Sequence, residues 1–146
     1  CVEILIALYY CKMSHKPDNP GWEHRDRFIM SKGHACPALY VTLANCGYFK
    51  KDEIKSFRKF NSVLQGHAYS GVAGVEFSTG SLGQGLSVAN GIALAGKMKK
   101  SDFKVYCLLG DGEIQEGQVW EAAMTASHHH LDNVCAIIDS NGIQQN

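Results

Sequence analysis

The chain has 146 residues, 45% of them apolar and 19% charged, the make-up of one globular domain that buries roughly 70% of the surface its unfolded form exposes. Its 14 basic residues balance its 14 acidic ones, which excludes the one-sided charge of a nucleic-acid or membrane-surface binder, and no apolar run approaches the length of a membrane span. None of the 6 cysteines stands in a CxxC, so neither a zinc site nor a disulfide scaffold is expected, and reduced thiols point to the cytoplasm.

Cys1 is not an initiator methionine, and the chain opens inside an apolar helical pattern from Val2 to Tyr10, with Ile4, Leu5, Leu8 and Tyr9 on one side. This start, and the equally abrupt end at Gln144-Gln145-Asn146, lead to the expectation of an internal piece of a longer chain. Lys16 to Arg27 is a polar connector containing Pro17, Pro20 and Gly21. Arg27 to Ser31 is predicted as a strand that ends at Lys32-Gly33-His34, and a helix is predicted from about Pro37 to Cys46, closed by Gly47. That order places His34 at a sheet edge, as a helix cap or as a functional group. Lys51 to Phe60 reads as a short charged helix with Ile54 and Phe57 inward. Gln65-Gly66-His67 and a glycine-punctuated loop, Gly71 to Thr79, follow. Glycines 80, 83 and 85 then permit a tight path into a helix from Leu86 to Lys97. Their GxxGxG order, with no strand pattern before it, argues against a dinucleotide fingerprint.

The apolar run Val105 to Leu109 stops at Gly110-Asp111-Gly112; an amphipathic segment runs from Gln118 to His130; a second apolar run, Val134 to Ile138, stops at Asp139-Ser140-Asn141-Gly142. Two buried-strand patterns around one helix form a βαβ unit with a right-handed crossover, and Cys107 and Cys135 read as small buried hydrophobes within it. The fold class is α/β, a doubly wound parallel sheet with flanking helices. Such sheets bind ligands at the carboxyl edge, so Asp111 and Asn141, thirty residues apart, come side by side there. A carboxylate, an amide oxygen and a backbone carbonyl are hard ligands suited to Mg²⁺ or Ca²⁺, and Mg²⁺ completes its shell with water and phosphates. Gly110 and Gly112 let the backbone approach an anion, and the following helix offers free N–H groups. The pattern suits a metal-bound diphosphate; a plain tight turn accounts for the same residues without a ligand. His128, His129 and His130 point about 100° apart on a helix and share no metal face.

Gly110-Asp111-Gly112 followed by Asn141 resembles the thiamine-diphosphate signature. Glu116-Gly117, Glu121-Ala122 and Leu131-Asp132-Asn133 narrow the resemblance to transketolase, most like the N-terminal subunit of a split transketolase. Arg25 to Phe28, Ser31 to Ala35 and Ser78 to Gly85 extend it over essentially the whole chain. The resemblance implies a transketolase-like transferase that moves a two-carbon ketol group between sugar phosphates with Mg²⁺-bound thiamine diphosphate. Residues 1–146 would be its diphosphate-binding (PP-type) N-terminal domain, truncated at both ends. By the same resemblance Asp111, Asn141 and the carbonyl of Ile143 are metal ligands. His34, Gly80, Ser81, Leu82, Gly110, Gly112, Glu113 and Asn141 bind the cofactor, with Gly80 and Leu82 shaping its bend. His34, His67 and Glu116 are catalytic, and Glu116 and Glu121 match family acids at a dimer interface. The family often carries Pro where Ser81 stands, and an Asp-Gly after the last turn that Gln144-Gln145-Asn146 lacks. The implied partners are sugar-phosphate substrates and a pyrimidine-domain subunit or domain, in a dimer of such units; the isolated piece is expected to be inactive.

Two other readings stay open. One is a binding or assembly subunit that keeps the fold without the chemistry, against which the joint presence of Asp111, Asn141, His34 and His67 argues. The other is a thiamine enzyme acting on 2-oxo acids, against which the Glu116-Gly117 and Glu121-Ala122 pattern argues.

Overall fold

The chain is described by a computed structural model over residues 1–144; Gln145 and Asn146, and with them the end of the final turn, lie outside the described residues. Helix α1 (Val2–Ala7) continues into a π-helical turn, Leu8–Lys12. Strand β1 (Arg27–Met30) follows the polar connector, a 3-10 turn spans Gly33–Ala35, and α2 (Cys36–Cys46) stops at Gly47. After a long loop come α3 (Gly85–Met98), β2 (Val105–Gly110), a 3-10 turn at Glu113–Gln115, α4 (Gly117–His128) and β3 (Val134–Asp139).

The strands form a parallel sheet in the order β1-β2-β3, with Arg27 opposite Val105 and Val105 opposite Val134. Alternate residues of a strand face opposite sides, and each side here has its own core. Phe28, Met30, Tyr106 and Leu108 pack against α1, the π-helical turn and α2 through Leu5, Tyr9, Leu39, Tyr40 and Leu43. Ile29, Val105, Cys107 and Leu109 pack on the other side against α3 and α4 through Leu86, Ala89, Ala93, Val119 and Ala122. Helices on both faces of a parallel sheet are the doubly wound arrangement read from the sequence. Among the described residues no helix is long and apolar enough to cross a membrane.

Three expectations are corrected. Lys51 to Phe60 is not a full helix: only a 3-10 segment, Lys51–Ser56, forms, and Arg58 and Asn61 take positive φ of 58° and 62°. Six residues bury too little apolar surface to hold a longer helix, although Phe57 still packs edge-on to Tyr40. The helix read to His130 ends at His128, where His130 turns the chain with φ 50°. β3 is not a buried strand either. It pairs only with β2 among the described residues, and Cys135, Ala136 and Ile138 are exposed, so Cys135 is not the core thiol expected. An apolar run reports β structure without saying which side is covered. All 6 cysteines are free.

Candidate active site

Because the strands are parallel, the turns after β1, β2 and β3 meet at one edge. Asp111 binds two of them together. Its Oδ1 accepts the Gly112 N–H at 2.9 Å, and its Oδ2 accepts the Gly142 N–H of the turn after β3 at 2.8 Å. Within that second turn Asn141 Oδ1 accepts the Ile143 N–H at 2.9 Å, and Asn141 Nδ2 faces Asp139 Oδ2 at 3.4 Å. The expected meeting of the Asp111 and Asn141 turns is therefore present in the backbone and side-chain bonding.

These turns wall a cavity of about 570 Å³. Its lining takes in His34, Leu82, Gly110, Asp111, Gly112, Glu113, Glu116, Asn141 and Ile143 from the residues singled out in the sequence, and adds Lys32, Gln115 and Gln144. Asp111 is half-buried, whereas His34, Glu116, Asn141 and Ile143 are exposed to the opening. Three of the residues expected at catalytic, cofactor or metal positions do not line this cavity. His67, Gly80 and Ser81 lie outside its lining, and a methyl group added at Gly80 would lie 3.4 Å from the His67 ring. The His67 loop is nonetheless laced to the His34 turn. The Ala68 N–H donates to Gly33 O at 3.2 Å, the Tyr40 hydroxyl donates to His67 O at 2.8 Å, and a methyl group on Gly33 would strike the Thr79 carbonyl at 2.6 Å. Glu121 lies on a separate groove between α3 and α4, and His128, His129 and His130 are exposed away from the site.

Lys32 was not singled out in the sequence. Its side chain is only 8% exposed, and its ammonium donates to Asp139 Oδ2 at 3.0 Å. The hydrogen bond and charge of Lys32 hold the Asp139 carboxyl below its ordinary value against the opposing effect of burial. The only signal in the chain was position: a lysine directly after a strand and directly before Gly33-His34. Glu113 is buried in the cavity wall; its Oε1 accepts from Ser31 Oγ and from the Gly83 N–H at 2.9 Å, and its Oε2 from the Gly110 N–H at 3.0 Å. Gly83 has φ 88°, and a methyl group there would meet Glu116 Cβ at 2.8 Å, so this close, left-handed turn requires glycine.

The donors suit a hard cation better than a soft one. A carboxylate has about four lone-pair sites, and each Asp111 oxygen is engaged by one backbone N–H, which leaves acceptor capacity toward the cavity. An amide oxygen adjoins it in the Asn141 turn.

Residues 1–146 match the family described as transketolase, thiamine diphosphate binding domain. The chain is 49% identical over 144 residues to one subunit of the apulose-4-phosphate transketolase of Phocaeicola vulgatus, covering 99% of this chain and 51% of that protein. It is 46% identical over 144 residues to Homo sapiens transketolase, covering 98% of this chain but 23% of that one. The structure superposes on the crystal structure of Campylobacter jejuni transketolase with a TM-score of 0.90 and 40% identity, over 98% of this chain and 23% of that chain. The chain thus spans about half the length of one such relative and about a quarter of another. On the match of its full length, and on a fold shared at this identity, the chain belongs to the transketolase family, in its thiamine diphosphate binding domain.

Proposed function

We propose that this chain supplies the diphosphate half of a transketolase-type active site, in which a two-carbon ketol group passes between sugar phosphates with Mg²⁺ and thiamine diphosphate bound. The observation that carries this reading is the Asp111 clasp onto the Asn141 turn, at the edge of a cavity that also holds His34 and Leu82. Asp111, Asn141 and the carbonyl of Ile143 would hold Mg²⁺, a donor set of the hard oxygen type that ion takes. His34, Gly110, Gly112 and Asn141 would face the diphosphate, and the buried Lys32 adds positive charge to the same wall, partly offset by Asp139. Gly80, Ser81 and Leu82 would shape the space for the rest of the cofactor. When bound, thiamine diphosphate supplies the nucleophilic carbon and the electron sink. His34 and His67 would orient substrate oxygens and move protons at them, and Glu116 would stand at the boundary with a partner.

That partner is a second chain or domain carrying the pyrimidine half of the site, in a dimer of such units. The Phocaeicola vulgatus relative is named as one subunit of its transketolase, which supports a site divided between two chains. Six free thiols fit a reducing compartment such as the cytoplasm. The test is a ketol-transfer assay on the complete protein with its partner, Mg²⁺ and thiamine diphosphate, using a ketose phosphate donor and a series of aldose phosphate acceptors. Transfer that depends on both cofactors is expected. Absence of transfer, together with turnover of 2-oxo acids, would overturn the reading.

A further inference from the structure

Glu113 is 2% exposed, and no cation pairs with it among the described residues. A buried carboxylate without an ion pair requires hydrogen bonds in place of water. Glu113 has three, from three segments distant in sequence: the Ser31 hydroxyl just past β1, the Gly83 N–H in the loop before α3, and the Gly110 N–H at the end of β2. Three donors on about four lone-pair sites leave little of this group for a ligand. Each donor adjoins a residue that reaches the cavity. Ser31 precedes Lys32, Gly83 follows Leu82, and Gly110 precedes Asp111.

We infer that Glu113 is a positioning residue: it fixes the Asp111 turn, the His34 turn and the Leu82 loop relative to one another and does not itself contact the ligand. This differs from the role of cofactor contact that resemblance implies for it. The inference rests on the proposed function only for the identity of the ligand.

The experiment compares the complete protein with its Glu113→Gln and Ser31→Ala variants. Three quantities are measured: thiamine diphosphate affinity by calorimetry at saturating Mg²⁺, thermal unfolding without cofactor, and amide hydrogen exchange. Glu113→Gln keeps the size of the side chain but turns one acceptor toward donors. It is expected to weaken cofactor binding about tenfold or more, the scale of one or two buried hydrogen bonds lost. Exchange should quicken at Gly83 and Gly110 while Ile29 and Cys107 in the strands stay slow. Ser31→Ala removes a single donor and should weaken binding roughly threefold, with a melting temperature lowered by less than in Glu113→Gln. Wild-type affinity and wild-type exchange in Glu113→Gln would overturn the inference. If Glu113→Gln does not fold, Ser31→Ala decides, and wild-type affinity there would overturn it. Should the unmutated protein take up no thiamine diphosphate, the proposed function fails, and exchange at Gly83 and Gly110 alone decides the role of Glu113.

Discussion

Asp111 is held by backbone N–H groups from two turns, and it sits outside both cores. Replacing it with alanine should therefore remove one of the proposed Mg²⁺ ligands and little packing. Cofactor affinity measured by calorimetry at saturating Mg²⁺ should fall by about 100-fold, the upper range seen for groups that merely support a metal site, while the far-UV circular dichroism stays native. Undiminished affinity would remove Asp111 from the metal set. The Lys32–Asp139 pair gives a second test, with a definite pH sign. Asp139 is depressed in the folded state, so its stabilising effect is complete above the ordinary carboxylate value of about 4 and is lost as pH falls through its lower folded value. Lys32→Met should lower the melting temperature at neutral pH, where it leaves the buried Asp139 carboxylate only the more distant Cys1 ammonium at 3.5 Å, and the deficit should shrink below about pH 4 as Asp139 takes up a proton. A deficit that stays constant across that range would mean the pair is not what stabilises the edge. The meeting of the Asp111 and Asn141 turns was legible in the sequence because a strand-helix-strand pattern puts both turns at one edge of a parallel sheet. Lys32 was not, since a lysine ordinarily reads as a solvated residue and only the fold shows it closed in beside Asp139.

At the scale of elements, the loop from Gly80 to Gly85 is defined by contacts that no periodicity reports. Gly83 combines a left-handed φ of 88° with a close approach to Glu116. Gly83→Ala should cost about 1–3 kcal/mol in chemical denaturation, more than an ordinary glycine replacement, because the backbone must strain and the segment before α4 must move. A cost within error of zero would show that the loop relaxes freely. Helices α2 and α3 were legible from the Pro and Gly residues at their ends, and α4 from its amphipathic pattern. The 51–60 stretch reads as a longer helix than it forms because its inward apolar pair, Ile54 and Phe57, satisfies a helical spacing equally well on a single turn, whereas Phe60 is exposed. The position of β3 was legible and its exposure was not, since edge and centre strands share the same composition.

At the scale of the whole molecule, β3 is exposed on both faces, through Cys135 on one and Ala136 and Ile138 on the other, at one edge of the sheet. Given Mg²⁺ and thiamine diphosphate, the 146-residue chain alone is expected to show no ketol transfer, because proton-transfer help of the kind a partner's groups would give is worth ~10²–10⁴ in rate. Robust turnover by the chain alone would refute the divided site. The register of the sheet bears on something else, the order of assembly. β2 meets β3 across a single helix, Val105 opposite Val134, but meets β1 across most of the chain, Arg27 opposite Val105. Closing the shorter loop costs less entropy, so the β2-α4-β3 unit should form first, and the Asp111 clasp with it, before β1 brings in Lys32 and His34. Core truncations in β2 should then slow refolding, and Phe28→Ala in β1 should chiefly speed unfolding. The Asp111 and Asn141 turns, the proposed metal site, would in that case be in place early, able to take up an ion while the strand that completes the cavity is still arriving.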